Sequence, residues 1–240
     1  MARPLFLLAV LSVPILSLAP ALPAGADFYS HRYVGASVGD TQQDDFCLQA
    51  ASQVRQFSFD GQAGNLLGCD GSGEGWKLYT GWRWSPYLAV EASLQRLATT
   101  ELDFELRNQR GEFLRFEDKM ETHLVNAFAV GHWPVYGGLS LFAKAGAGAW
   151  NSELSERQSG EVLFRFLDGD TVAEELVPVS GRSAAVDNGF HWGYGAGISY
   201  RHEGEWTLRA EWEAFRDIGS DELRGKFDAE MASLGWSMHF

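Results

Sequence analysis

The stretch Ala232-Ser-Leu-Gly-Trp-Ser-Met-His-Phe240 decides the fold. Ala232, Leu234, Trp236, Met238 and Phe240 fall on one side of an extended chain, and Ser233, Gly235, Ser237 and His239 on the other. Alternation of period two is the signature of a strand with one apolar and one polar face. A soluble domain has little use for a last strand that offers Leu, Trp, Met and Phe on one side. A closing strand whose outside meets lipid and whose inside is polar does.

The same alternation recurs upstream. Val34, Ala36 and Val38 oppose Gly35, Ser37 and Gly39. Trp76, Leu78, Thr80, Trp82 and Trp84 oppose Lys77, Tyr79, Gly81 and Arg83. After Ser85-Pro86, Leu88, Val90, Ala92 and Leu94 oppose Ala89, Glu91, Ser93 and Gln95. A fourth strand is expected over His123–Trp133, with Leu124, Phe128 and Val130 outward and a bulge near Gly131-His132. In the fifth, Ser140–Trp150, Lys144, Gly146 and Gly148 lie on the small or polar side. In the sixth, Trp192–Tyr200, Gly193, Gly195, Gly197 and Ser199 do. In the seventh, Trp206, Leu208, Ala210, Trp212 and Ala214 oppose Thr207, Arg209, Glu211 and Glu213. The carboxyl-terminal strand makes eight.

The connections alternate in length. Ser85-Pro86, Pro134–Gly138 and Arg201–Glu205 are short, whereas Asp40–Glu74, Ala98–Thr122 and Asn151–Phe190 are long and Asp217–Phe227 is moderate. Long connections at one end and short turns at the other are the asymmetry of outer-membrane barrels. The expectation is an all-β, eight-stranded antiparallel up-and-down transmembrane barrel with short periplasmic turns and long extracellular loops. Two loops carry their own hairpins. One has its tip at Arg107–Gly111, the other at Asp168-Gly-Asp170. Strands three to six are therefore expected to continue beyond the bilayer.

Residues 1–26 read as a cleaved export signal. Arg3 supplies the charge, Leu5–Leu18 the apolar run and Ala24-Gly-Ala26 the cleavage site. Residues 27–240 are then the barrel. Net charge is −13, so nucleic acid is not expected as a partner. The only cysteines, Cys47 and Cys69, both lie in the first long loop. An even pair in an exported chain reads as a disulfide.

Signals for chemistry are weak. Lys144–Gly148 and Gly193–Gly197 are rich in glycine, but a phosphate loop must open a helix and these lie in strands. The six histidines show no ligand spacing, so no metal and no cofactor are expected. No serine stands two residues after a histidine, the arrangement a lipid A deacylase would present as nucleophile beside base. No enzyme is expected. The Asp168-Gly-Asp170 turn offers two carboxylates to Ca²⁺, but two acids in a turn are ordinarily only solvated.

Gly75-Trp-Lys-Leu-Tyr-Thr-Gly-Trp-Arg-Trp-Ser-Pro-Tyr-Leu-Ala-Val-Glu-Ala92, Arg209-Ala-Glu-Trp-Glu-Ala-Phe-Arg-Asp-Ile-Gly219 and Ser233–Phe240 resemble OmpA-like outer-membrane barrels. The resemblance implies a Gram-negative outer-membrane location and recognition of the last strand by the barrel-insertion machinery. Leu234, Trp236, Met238 and Phe240 would carry that signal. It also implies that Glu91 pairs with Arg209 inside the barrel. A second interior pair known in that family is not reproduced, because Ser199 stands where its Glu would be. No peptidoglycan-binding domain is expected after the barrel.

Lys77, Arg83, Lys144 and Arg209 against Glu91, Glu211 and Glu213 nearly cancel, so a network of paired charges closing the lumen is expected. The expected role is that of a monomeric structural or surface-interaction protein set in outer-membrane lipid. The alternatives are a narrow solute or ion pore, or an adhesin that takes an extracellular protein or matrix ligand through its loop hairpins.

Overall fold

The computed structural model describes residues 31–240 except 169–170, 203–204 and 224. The expected leader, and the centre of the Asp168-Gly-Asp170 turn, lie outside the described residues. Among those described, no helix is long and apolar enough to cross a membrane.

Eight strands close a ring. In chain order they are β1 (His31–Gln42), β5 (Ser72–Arg83), β6 (Leu88–Arg96), β8 (Phe113–Tyr136), β9 (Leu139–Asp168), β10 (Thr171–His202), β11 (Trp206–Ser220) and β12 (Gly225–His239). Each pairs antiparallel with the next of these, and β12 pairs back onto β1, where Ala36 faces Trp236. Closure leaves the ring without an edge, as a bilayer requires of strands. The remaining elements decorate the loops. They are helix α1 (Asp44–Val54), the small hairpin β2 (Ser58–Phe59) and β3 (Gln62–Ala63), β4 (Asn65–Asp70), β7 (Thr100–Arg107) and a 3-10 turn at Asp221–Leu223.

The alternation seen in the sequence sets inside from outside. Val34, Val38, Leu78, Trp82, Val90, Leu94, Ile198, Leu208 and Leu234 are exposed on the outer face. Trp82, Trp84, Tyr87, Trp133, Tyr136, Tyr200 and Phe240 are exposed around the turn end. This is the aromatic girdle of a membrane interface.

The fourth strand departs from expectation. Leu124, Asn126, Phe128 and Val130 point inward and are buried, while Val125, Ala127 and Ala129 face out. Asn126 explains the register. Its amide donates to Ser93 Oγ (3.2 Å) and its carbonyl lies 2.7 Å from His191 Nε2. Lipid can satisfy neither group. Pairing with β6 runs without a bulge through Gly131, and the irregularity against β9 comes later, between Pro134 and Tyr136. The β8–β9 turn is just Gly137-Gly138, at φ of +52° and +88°. Two successive positive φ values make a tight hairpin turn that favours glycine.

β8, β9 and β10 have 24, 30 and 32 residues. A tilted membrane strand needs about 9–11, so their far halves stand clear of the bilayer. β6 does not continue with them. It ends at Arg96, and after three residues β7 takes over as the partner of β8, from Thr100 opposite Met120. β4 adds to β7's other side.

Candidate functional site: the lumen and its two mouths

The inward positions of neighbouring strands meet in layers. One layer brings together Lys77 of β5, Glu91 of β6, Lys144 of β9, and Arg209, Glu211 and Glu213 of β11. Arg209 donates to Glu91 at 2.6 Å and lies 2.8 Å from Glu211. Lys144 lies 2.5 Å from Glu213, 3.1 Å from Glu211 and 3.4 Å from Glu91. Lys77 lies 2.7 Å from Glu213 and also contacts Glu211. Three cations face three anions, all essentially shut off from solvent. An eight-stranded ring leaves an interior just wide enough for side chains to fill.

Aromatic faces complete the layer. Lys144 sits 4.6 Å from the centre of the Phe128 ring, and Arg209 sits 4.4 Å from Phe142 and 5.0 Å from Tyr79. A cation over an aromatic face gains electrostatically from the ring quadrupole. Space for these rings comes from glycine. A Cβ on Gly197 would lie 2.5 Å from the Phe142 ring. Tyr33 donates to Glu91 at 3.1 Å.

Arg83 does not join the network. It lies nearer the turns and donates to the backbone carbonyls of Ser85 and Pro86. Without it the charge count balances. Phe128 and Phe142 belong to the site although period-two reading placed Phe128 outside and left Phe142 unassigned. The usable signal is Asn126, two residues before Phe128 and so on the same face of β8.

Toward the loops the lumen turns apolar. Phe46, Ala50 and Val54, one stripe of α1, pack with Leu97, Leu102, Met120, Ile218, Leu223 and Phe227. Phe46 meets Phe227 edge to face at 5.8 Å between centroids. Cys47 is bonded to Cys69, with Cα atoms 5.8 Å apart, so α1 is fastened to β4.

The two loop hairpins differ. Leu102 and Phe104 are buried, and Phe104 stacks on Phe116 at 4.6 Å and on Phe57 at 6.0 Å. Leu106 and Leu114 are half-buried. On the β9–β10 hairpin, Phe164, Phe166, Leu167, Val172 and Leu176 are exposed. Glu112 joins the two hairpins, accepting from Asn108 Nδ2 at 2.5 Å and from the Leu163 backbone N–H at 2.7 Å. These bonds hold its carboxyl below the usual carboxylate range. Leu234, Trp236, Met238 and Phe240 all lie exposed on the outer face of β12 and just after it. Among the described residues no cluster of three or more His, Cys, Asp or Glu could hold a metal ion.

The OmpA-like transmembrane domain family matches residues 28–240. No curated protein sequence matches the chain. Among solved structures it is similar to Ail of Yersinia pestis in complex with the heparin analogue sucrose octasulfate, at 14% identity over 88% of this chain and 98% of Ail, TM-score 0.40. It is similar to Neisserial surface protein A, at 12% identity over 88% and 97%, TM-score 0.44. It is also similar to OprG from Pseudomonas aeruginosa, at 7% identity over 88% and 96%, TM-score 0.46.

Proposed function

Since the chain belongs to the OmpA-like transmembrane domain family, an outer-membrane barrel family of Gram-negative bacteria without enzymatic activity, we propose that it acts as a non-conducting barrel that presents a surface for interaction outside the cell. The observation that carries this reading is the β9–β10 hairpin. Its strands run far beyond bilayer length and expose Phe164, Phe166 and Leu167. Exposed apolar side chains on a long, projecting sheet are the feature of a docking surface rather than of a pore. The partner class is an extracellular protein or matrix ligand.

The lumen supports the same reading. Conduction would require Lys77, Lys144 and Arg209 to leave three buried carboxylates, and α1 to leave the opposite mouth. Cleavage of the leader after Ala26 and use of Leu234, Trp236, Met238 and Phe240 as the insertion signal complete the proposal.

Two measurements on the refolded barrel test it. In planar bilayers we expect no steady channel at moderate voltage. In a binding screen, replacing residues 161–176 by a short turn should abolish adhesion to cells or matrix. Large, steady conductance with unchanged adhesion would favour the narrow pore.

A further inference from the structure

The barrel interior is not filled evenly. On the turn side of the charge layer a cavity of about 210 Å³ remains. Its ionisable lining includes Arg83, Arg201, Arg209, His31, His132 and His239, and among the described residues no carboxylate lines it. Glu91, in the layer above, already accepts from Arg209 and Tyr33. Arg83 donates to the backbone carbonyls of Ser85 and Pro86, and among the described residues no carboxylate pairs with it.

The cavity also holds polar nitrogens without partners. Both ring nitrogens of His132, Nδ1 of His239 and Nε of Arg209 are buried and have no hydrogen-bond partner among the described residues. Buried polar groups are nearly always satisfied, by protein or by something bound. The His132 backbone is held by its N–H, which donates to the Tyr87 carbonyl at 2.7 Å, and its ring lies 5.9 Å from that of Phe142 between centroids. His239 is held too, with Nε2 2.7 Å from Thr207 Oγ1. Unpartnered ring nitrogens, guanidinium groups and a lining without carboxylates among the described residues together describe a receptor for negative charge. Ser140, Ser199 and Thr207 add hydroxyls to the same wall.

We propose that this turn-side vestibule is a binding site for a small phosphate-class oxyanion, taken either free or as the phosphate of a lipid headgroup from the same membrane face. Such an anion offers several acceptor oxygens at once, which suits the Arg83 Nη1 group, left over from its two carbonyl contacts, and a ring N–H from each of His132 and His239. A single halide would leave most of these donors unanswered. The proposal stands whether or not the barrel conducts, because the site lies below the charge layer.

The test uses the full refolded barrel in maltoside micelles, free of phosphate, titrated calorimetrically with inorganic phosphate and separately with a soluble short-chain phosphatidic acid. Wild type should show saturable binding to at least one probe. Arg83→Gln and His132→Gln should each weaken it about tenfold, and Arg96→Gln, which alters a residue paired with Glu121 at the other end of β6, should not. Arg83 also holds the turn, so His132→Gln, checked for an unchanged thermal transition, keeps the test decisive if Arg83→Gln fails to fold. Response to both probes assigns the site to free oxyanion, and response to phosphatidic acid alone assigns it to a headgroup. No saturation with either probe would overturn the proposal, as would equal affinity in wild type and His132→Gln, since the anion would then bind outside the vestibule.

Discussion

Glu91 and Arg209 lie 118 positions apart in sequence, yet a guanidinium nitrogen of one stands 2.6 Å from a carboxylate oxygen of the other inside the barrel. Both side chains are almost wholly shielded from solvent. They are one contact in a layer that Lys77, Lys144, Glu211 and Glu213 complete. The layer's stability rests on balance rather than on any single pair.

This gives a first prediction. Glu91→Leu leaves three cations against two anions in a site water reaches poorly. Breaking a buried pair in this way costs about 3–5 kcal/mol. Glu91→Leu with Arg209→Leu restores two against two and should cost much less. Urea unfolding of the barrel in lipid vesicles would measure both, and losses that add across the two sites would refute the shared layer.

The sequence made the strands legible because lipid outside and side chains inside impose a strict period of two. It misread β8 because the assignment of apolar residues to the outside fails where the lumen itself is aromatic. Phe128 sits inward beneath Lys144, and small Ala127 and Ala129 take the lipid face. Arg83 was grouped with the network because face alone cannot show depth. It shares a face with Lys77, but three alternating steps bring it to the turn and its carbonyls. Helix α1 was legible in principle. Phe46, Ala50 and Val54 repeat every four residues, a helical stripe within a stretch read only as loop.

Phe240 and His239 supply the second prediction. Phe240 is 72% exposed on the lipid side, while His239 turns inward to Thr207. A charge placed on the lipid face resists insertion, though less near an interface than at the midplane. Phe240→Asp should therefore reduce membrane yield sharply, and His239→Gln should reduce it little. Fractionation of cell envelopes with antibody detection checks this, and equal yields would contradict the assigned faces.

A third prediction concerns acid. Hydrogen bonds from the Leu163 amide and Asn108 favour the charged form of Glu112 and hold its carboxyl low. A depressed carboxyl stabilises the native contact above the unfolded value of about 4.3 and loses that contribution as pH falls through its own lower value. Protection of the Leu163 amide against hydrogen exchange should thus hold at neutral pH and fall on acidification below about pH 4. Glu112→Gln should remove the pH dependence. Protection that stays flat with pH in wild type would show that Glu112 does not tie the hairpins.

The fourth prediction concerns the disulfide. Cys47 and Cys69 close a loop with sequence separation 22, for which chain entropy gives about 3 kcal/mol of stabilisation. That contribution acts on α1 and β4, since neither cysteine lies in a ring strand. The apolar contacts of Phe46 with Phe227 remain after reduction, so the helix should loosen rather than leave. Cys47→Ser with Cys69→Ser should keep the barrel's resistance to unfolding in sodium dodecyl sulfate and its heat-shifted mobility on gels. Limited proteolysis should instead cut faster within residues 43–71. Loss of the folded barrel band would mean that the barrel, not only the loop, depends on the bond.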